Sequence, residues 1–286
     1  MIDADLVRAL VREQFPAWAA LAVTPVPRQG WDNRTFRLGD ELSVRLPSAE
    51  GYVAAVQKED RWLPALAGRL PLPIPEPVAV GAPAGVYPFP WSVRRWLPGD
   101  VLAASDATIA LAEDLGGFLT ALRSVPAQGG PVGGRHCFYR GCHPSVYGDG
   151  VQEALRTLGD TVDTAACERV WAQALTSAWQ GPPVWFHGDV AAGNLLTTGG
   201  RLSAVIDFGT CGVGDPACDL VIAWTHFHGP SRRAFRVAAG LPDAAWRRAR
   251  GWALWKALVT LAGASSPDQA GVQARTLQEV LRDPVV

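Results

Sequence analysis

The sequence predicts an α+β protein in two parts, a small antiparallel β-sheet part followed by a larger, mostly helical part. Three observations predict it. Short apolar alternations broken by Gly and Pro crowd the chain up to Leu97. Segments with helical apolar spacing fill most of the chain beyond Leu97. The turn signal Pro98-Gly99-Asp100 separates the two. The expected boundary therefore gives an amino-terminal part at 1–97 and a carboxy-terminal part at 98–286, and 286 residues suffice for two cores.

Taken in order, Ile2–Phe15 reads as a helix because Leu6, Val7, Leu10 and Val11 share a face, and Pro16, Pro25 and Pro27 break the segment after it. Gly30–Leu38 is a turn leading into a strand. Glu41–Leu46 alternates and pairs with it as a hairpin through Gly39-Asp40. A helix over Gly51–Leu66 precedes a proline-rich crossing, then strands at Val78–Val80 and Pro90–Leu97. Thr108–Ser124 is a long amphipathic helix with Leu111, Leu115, Phe118, Leu119 and Leu122 on one face. Gly129–Gly150 is loop-rich, and Val151–Leu158 and Ala165–Trp179 are helices. Short strands are expected at Val184–His187, Leu195–Leu196 and Ala204–Asp207, and helices at Cys218–Phe227 and Ala244–Ala262. The Arg-rich stretch Ser231–Lys256 reads as a helix pair with a solvated basic face.

Composition removes several function classes. Hydrophobic residues at 48% and charged residues at 19% describe a globular chain. A formal net charge of −1 gives no global field to attract nucleic acid or an anionic membrane. The start, with Asp3 and Asp5, lacks a basic secretory leader, and no apolar run approaches the roughly 20 residues of a membrane span. The five cysteines form an odd, scattered set, which suits reduced thiols. A cytoplasmic protein acting on small molecules is the expectation, and no pattern bears on its oligomeric state.

Val184–Leu220 carries the chemistry. A short apolar strand ends in His187-Gly188-Asp189, and Asn194 follows after a turn containing Gly193. A second apolar strand ends at Asp207, followed at once by Phe208-Gly209. Two carboxylates and an amide thus stand at strand ends, where loop side chains converge on ligands. Oxygen donors of this kind suit a hard cation such as Mg2+. Phosphoryl transfer needs such a metal to neutralise charge and a carboxylate to orient the attacking hydroxyl.

His187-Gly188-Asp189-x-x-x-x-Asn194, followed by Ile206-Asp207-Phe208-Gly209, resembles the catalytic and metal loops of the aminoglycoside phosphotransferase family. That family shares the two-lobed protein-kinase fold, whose corresponding loops follow HRDxxxxN and DFG. Ser92–Asp100 is similar to the family's hinge, and Gly214-Asp215-Pro216 with Asp219-Leu220 to its segment after the metal loop. The likeness runs from about Gly30 to Trp255. It implies a protein-kinase-like fold with a nucleotide between a small β lobe and a helical lobe. The implied reaction moves the γ-phosphoryl of ATP or GTP to a small-molecule hydroxyl, most readily that of an aminoglycoside antibiotic. Kinases of macrolides, choline or homoserine, and a non-catalytic pseudokinase, stay open as alternatives.

Carried over by residue, the resemblance makes Asp189 the catalytic base and Asn194 and Asp207 the Mg2+ ligands. His187, Asp215 and Asp219 become structural supports. Arg45 stands where kinases place a strand Lys, with Glu59 on the next helix as its partner. The turn with Gly30 and Asn33 would cover the phosphates, and backbone at Arg95, Trp96 and Leu97 would meet the purine. A polycationic acceptor needs carboxylates nearby. Asp149, Glu153, Asp160 and Asp283 are available but unclustered in sequence. His136-Cys137 and Cys142-His143 could be read as a zinc site, although neither pair has the usual spacing. An ordinary loop bordering the acceptor is the reading preferred for that segment.

Overall fold

The computed structural model describes residues 1–27, 29–30 and 32–283. Trp31, within the expected Gly30–Leu38 strand, and 284–286 of the second expected part lie outside the described residues. The fold is α+β, as the sequence predicts. The chain divides into two compact units, Met1–Gly99 with Ser203–Gly209, and Asp100–Leu202 with Thr210–Val286. A single cut after Leu97 therefore misses one feature: the chain returns to the first unit at Ser203–Gly209.

The first unit is built on five strands: β1 (Val23–Pro25), β2 (Asn33–Leu38), β3 (Leu42–Pro47), β4 (Pro77–Gly81) and β5 (Trp91–Arg95). They form one antiparallel sheet in the order β1-β2-β3-β5-β4. β2 and β3 are the predicted hairpin, closed through Gly39 at φ 60°, a conformation that glycine adopts without strain. Helix α1 (Ala4–Gln14) starts on Asp3, whose carboxylate accepts from Leu6 N at 3.0 Å. Its Val7, Leu10 and Val11 join Phe36, Leu38, Val44, Leu46, Trp91 and Val93 in one core. The Trp91 ring lies so close to Gly81 that a Cβ there would sit 2.1 Å from it.

Side chains alternate across β3. Val44 and Leu46 face the α1 core, which turns Arg45 to the opposite face, and α2 (Val53–Ala67) packs against β4 and β5. Central position in the sheet explains why β3 is almost wholly buried and can hold an arginine away from water.

In the second unit, β6 (Asp100–Val101) pairs antiparallel with β8 (Leu195–Thr198), and β7 (Val184–Phe186) with β10 (Gly212–Gly214). β9 (Arg201–Val205) straddles the two units. Helix α3 (Ile109–Ser124), capped by Thr108, packs on α7 (Gly229–Ala239), where a Cβ on Gly116 would meet Ala238 at 2.5 Å. α4 (Gly148–Leu158), α5 (Thr164–Ala174) and α9 (Val272–Arg282) surround α8 (Asp243–Leu261), and the short α6 (Ile222–Thr225) joins them. The helix expected to reach Trp179 stops at Ala174, and α9, with Leu277 and Val280 on its buried side, and the short β1 are elements beyond those expected.

The basic stretch corrects an expectation. α7 and α8 are the predicted helix pair, but their basic face is not all solvated. Arg248 is 1% and Arg250 6% exposed. Arg248 makes a two-point bond to Asp215 (2.6 and 3.1 Å), and Arg250 binds the carbonyls of Val280 and Asp283. α8 is buried on nearly every side because other helices enclose it.

Candidate active site

In the first unit, Arg45 is the centre of a buried charge cluster. Its Nη1 donates to Glu59 Oε1 at 2.9 Å and its Nη2 to Asp207 Oδ1 at 2.7 Å, with Asp32 Oδ2 3.9 Å away. Glu59, fully buried on α2, also lies 3.2 Å from Arg94 Nη1. Arg94 in turn donates to Asp60 at 3.0 Å and to Ser92 Oγ at 2.9 Å. Arg94 and Asp60 have no sequence signal, because each looks like an ordinary strand or helix charge until the fold joins them.

Two arginines here face four carboxylates, Glu59, Asp60, Asp32 and Asp207. Burial, and then the neighbouring Asp207 charge, push the Asp32 carboxyl above its ordinary range. Asp207 itself stands at φ 66°, in the left-handed region. A carboxylate oxygen is the donor type that a hard divalent cation takes, so the chemistry of Asp207 is compatible with the metal role implied for it.

The turn expected to cover the phosphates has two notable groups. Asn33 is 2% exposed, and its amide Nδ2 and Oδ1 find no partner among the described residues. Gln29 braces the turn by clasping Thr35 at both N and O, each at 2.9 Å. Gly30 is exposed, and its carbonyl accepts from Arg34. At the expected hinge the amides of Arg95 and Trp96 are already committed, to Glu76 O at 3.2 Å and Glu41 O at 2.8 Å. Among the described residues, Leu97 is left as the one of the three whose amide has no such bond. The Trp96 ring carries the Arg37 guanidinium at 4.4 Å.

In the second unit, β7 delivers His187-Gly188-Asp189. Asp219, 2% exposed, accepts from His187 N at 2.8 Å and Gly188 N at 2.7 Å, and so grips the loop backbone with both oxygens. Burial pushes its carboxyl up, while His187 and those two N–H groups pull it back. His187 Nδ1 accepts from Asp189 N at 3.2 Å, and Thr210 Oγ1 donates to His187 O at 3.0 Å. Gly188 has φ 86°, and a Cβ there would lie 2.6 Å from Thr210 O, so the loop demands glycine. Asp189 is left exposed at the tip. Asn194 Nδ2 donates to its Oδ2 at 2.8 Å and to its backbone O at 2.9 Å. Both bonds use the Asn194 amide nitrogen, and its amide oxygen is of the donor type that a hard cation takes. Asp215 caps the turn Pro216–Leu220 through Ala217 N at 3.1 Å.

Around this loop lie residues that sequence reasoning missed. Arg140 Nε donates to Gly188 O at 3.1 Å, and its guanidinium lies 5.1 Å from Trp252 and 5.0 Å from Trp255. Tyr147 stacks on Trp255 at 3.9 Å. The carboxylates considered for a polycationic acceptor do not gather. Asp149 and Asp160 are exposed, Glu153 pairs with Arg156, and Asp283 accepts from Trp224 Nε1. Among the described residues, no three His, Cys, Asp or Glu are grouped to hold a metal. In the Cys-His loop, His136 binds Val132 O, His143 binds Ser145 Oγ and Ser177 O, and Cys137 bonds backbone carbonyls. Among the described residues, no helix is long and apolar enough to cross a membrane.

No curated protein matches the chain. Solved structures do. A GDP and kanamycin complex of APH(2")-IIia aligns with a TM-score of 0.72 at 20% identity, covering 96% of each chain. The macrolide 2'-phosphotransferase MphH from Brachybacterium faecium aligns at 0.63 and 21%, covering 99% of each. A streptomycin and ATP ternary complex of APH(2")-IIa aligns at 0.63 and 17%, covering 99% of this chain and 97% of the other. At such identities the likeness establishes the fold. The sequence profile of the Phosphotransferase enzyme family matches residues 23–252, most of the chain, and the chain belongs to that family.

Proposed function

We propose that this enzyme moves the γ-phosphoryl group of ATP or GTP to a hydroxyl of a small molecule, with Asp189 as base. The observation that carries the reading is the Asp189 tip. Its backbone is fixed through Asp219, His187 and Thr210, while its carboxylate stays exposed with Asn194 as a partner. A carboxylate so held orients the acceptor hydroxyl and takes its proton as the new O–P bond forms. The bond from phosphorus to the β-phosphate oxygen breaks, and the nucleoside diphosphate leaves.

Mg2+, when bound, would be held by Asn194 and Asp207 and would neutralise phosphate charge. Arg45 offers a planar fork that can exchange a carboxylate oxygen for phosphate oxygens while Glu59 keeps it aimed. Asn33, with Gly30 in the same turn, would supply hydrogen bonds to the phosphates, and Leu97 N to the base. Solved relatives that bind GDP, ADP or ATP support a nucleotide co-substrate.

Relatives that bind kanamycin, gentamicin or streptomycin make aminoglycosides the first acceptors to test, followed by macrolides and small alcohols. The test is transfer from labelled ATP and GTP across that set, by wild type and by Asp189→Asn. Absence of nucleotide turnover, or a variant keeping more than about a third of wild-type rate, would sink the assignment.

A further inference from the structure

We infer that the acceptor carries an oxyanion, a carboxylate or a phosphate monoester, seated on Arg140 and Lys256 beside Asp189. The inference rests on the phosphotransferase reading and narrows its acceptor. A polycation would need carboxylates beside the base. The surroundings of Asp189 in its own unit hold two cations and an aromatic wall.

Arg140 is tied by Nε to Gly188 O, one residue from the base, yet no carboxylate pairs with it among the described residues. Its Nη1 is buried with no acceptor among the described residues. Trp252, 2% exposed and beneath the Arg140 guanidinium, likewise has a buried Nε1–H with no acceptor among the described residues. Both unsatisfied atoms are donors. Buried donors of this kind call for an oxygen that accepts, and a charged donor favours a charged one. Arg94 and Arg248 are held by carboxylates, Asp60 at 3.0 Å and Asp215 at 2.6 Å, and Arg250 has its donors taken by the carbonyls of Val280 and Asp283.

Lys256, the residue after Trp255 on α8, repeats the pattern. Its Nζ donates to Ser265 Oγ at 2.7 Å and has no ion pair among the described residues. Burial and the Arg140 charge lower its affinity for a proton, and the Asp189 carboxylate opposes them, which places all three within electrostatic reach. Asp189 is thus the carboxylate whose charge acts on this lysine, and as a base it is not free to serve as a permanent counter-ion.

The wall is organic in character. Tyr147 stacks on Trp255, and Trp252 meets both edge-on at 5.7 and 5.6 Å. Phe138 and Tyr139 stand exposed in the same loop as Arg140, at φ 49° and 55°. Two successive side-chain-bearing residues held in left-handed backbone are a strained arrangement of the sort found at ligand clamps. Aromatic faces suit the carbon skeleton of an acceptor better than a bare phosphoryl group.

The test pairs each charged probe with its uncharged counterpart: gluconate with sorbitol, and glucose 6-phosphate with glucose. Kanamycin is the polycation. Calorimetric titration of the nucleotide-free chain reads the subsite without turnover. One charged probe should bind about tenfold or more tighter than its counterpart, and kanamycin should bind more weakly than that probe. Whichever probe wins identifies the source of the oxyanion. Lys256→Gln should erase most of the preference and Lys256→Glu should reverse it. With turnover, the charged acceptor's KM should rise about tenfold in Lys256→Gln while its uncharged counterpart's moves little.

No preference for either charged probe, or tighter binding of kanamycin, overturns the inference. So does an equal loss of kcat on charged and uncharged acceptors, which would assign Lys256 to the transferring phosphoryl group instead. The phosphotransferase reading is tested separately, by ATP or GTP hydrolysis and its loss in Asp207→Ala. Charge-selective binding without any nucleotide turnover keeps the subsite and sinks that reading. Turnover without charge preference does the reverse.

Discussion

The two units hold their candidate site residues by opposite means. Around Arg45 the first unit concentrates side-chain charge: Glu59, Asp207 and Asp32 surround one guanidinium, and Arg94 with Asp60 extends the cluster. Around Asp189 the second unit fixes backbone and leaves the carboxylate lightly partnered. The difference follows from the chemistry each is proposed to serve. A group that binds phosphate must be aimed and stay charged, which a buried ion pair achieves. A base must stay exposed and free to take a proton, so its scaffold can grip only the main chain around it.

This contrast is most exposed to refutation at the base. Asp189→Asn should lower kcat by roughly 10²–10⁴-fold while nucleotide affinity barely moves. Its amide keeps the partner at Asn194, so the fold should survive. Single-turnover transfer alongside nucleotide titration checks both halves. A comparable loss of nucleotide affinity would mean that Asp189 acts on the co-substrate and not on the acceptor.

In the first unit the largest expected effect is on stability. Glu59→Ala leaves Arg45 and Arg94 without the carboxylate they share, both of them buried. Breaking a buried pair by removing one partner costs about 3–5 kcal/mol. Arg45 keeps Asp207 and Arg94 keeps Asp60, so the lower end is expected. Denaturant unfolding reads it. A change below about 1 kcal/mol, the scale of an exposed pair, would show that Glu59 is not a counter-ion that matters.

The two regions also differ in how far they can be read from sequence. His187-Gly188-Asp189 through Asn194, and Asp207 after an apolar strand, are local patterns in which strand, turn and polar residue follow one another within a few positions. The β2–β3 hairpin and the long α3 are legible for the same reason. What stays hidden depends on distant partners. Arg140 reaches Gly188 across 48 positions, and Arg248 reaches Asp215 across 33. The Arg-rich run through α7 and α8 has the composition of a solvated face, and only the packing of α5 and α9 on α8 removes part of it from water. Asp60 and Arg94 look like surface charges for the same reason.

A smaller effect is expected where Arg stands in place of the kinase strand lysine. Arg45→Lys keeps one charge but cannot bond Glu59 and Asp207 at once with a planar fork. Nucleotide affinity should weaken, and Arg45→Ala should be weaker still. If Arg45→Ala stays within about twofold of wild type, under roughly 0.4 kcal/mol, phosphate is held by other groups. In that case the Arg45–Glu59 pair is a structural strut, and the contrast between the units reduces to one of burial.

The smallest effect, and the one most specific to the second unit, is a pH dependence at Lys256. Burial first, and then the Arg140 charge, lower its proton affinity in the folded chain below the ordinary lysine value of 10.5, with Asp189 opposing. Unfolded, the lysine recovers its ordinary value. Between the folded and unfolded values the unfolded chain therefore binds more protons, and stability should rise with pH across that window. Binding of an oxyanion at the same lysine needs the charged form, so charged-acceptor affinity should fall as pH rises through the folded value. One group thus produces opposite slopes on the alkaline side. Lys256→Arg, which stays charged throughout, should flatten both. Parallel titrations of unfolding midpoint and of gluconate binding against pH check the pair. Slopes of the same sign, or slopes that persist in Lys256→Arg, would place the titrating group elsewhere and remove Lys256 from the acceptor subsite.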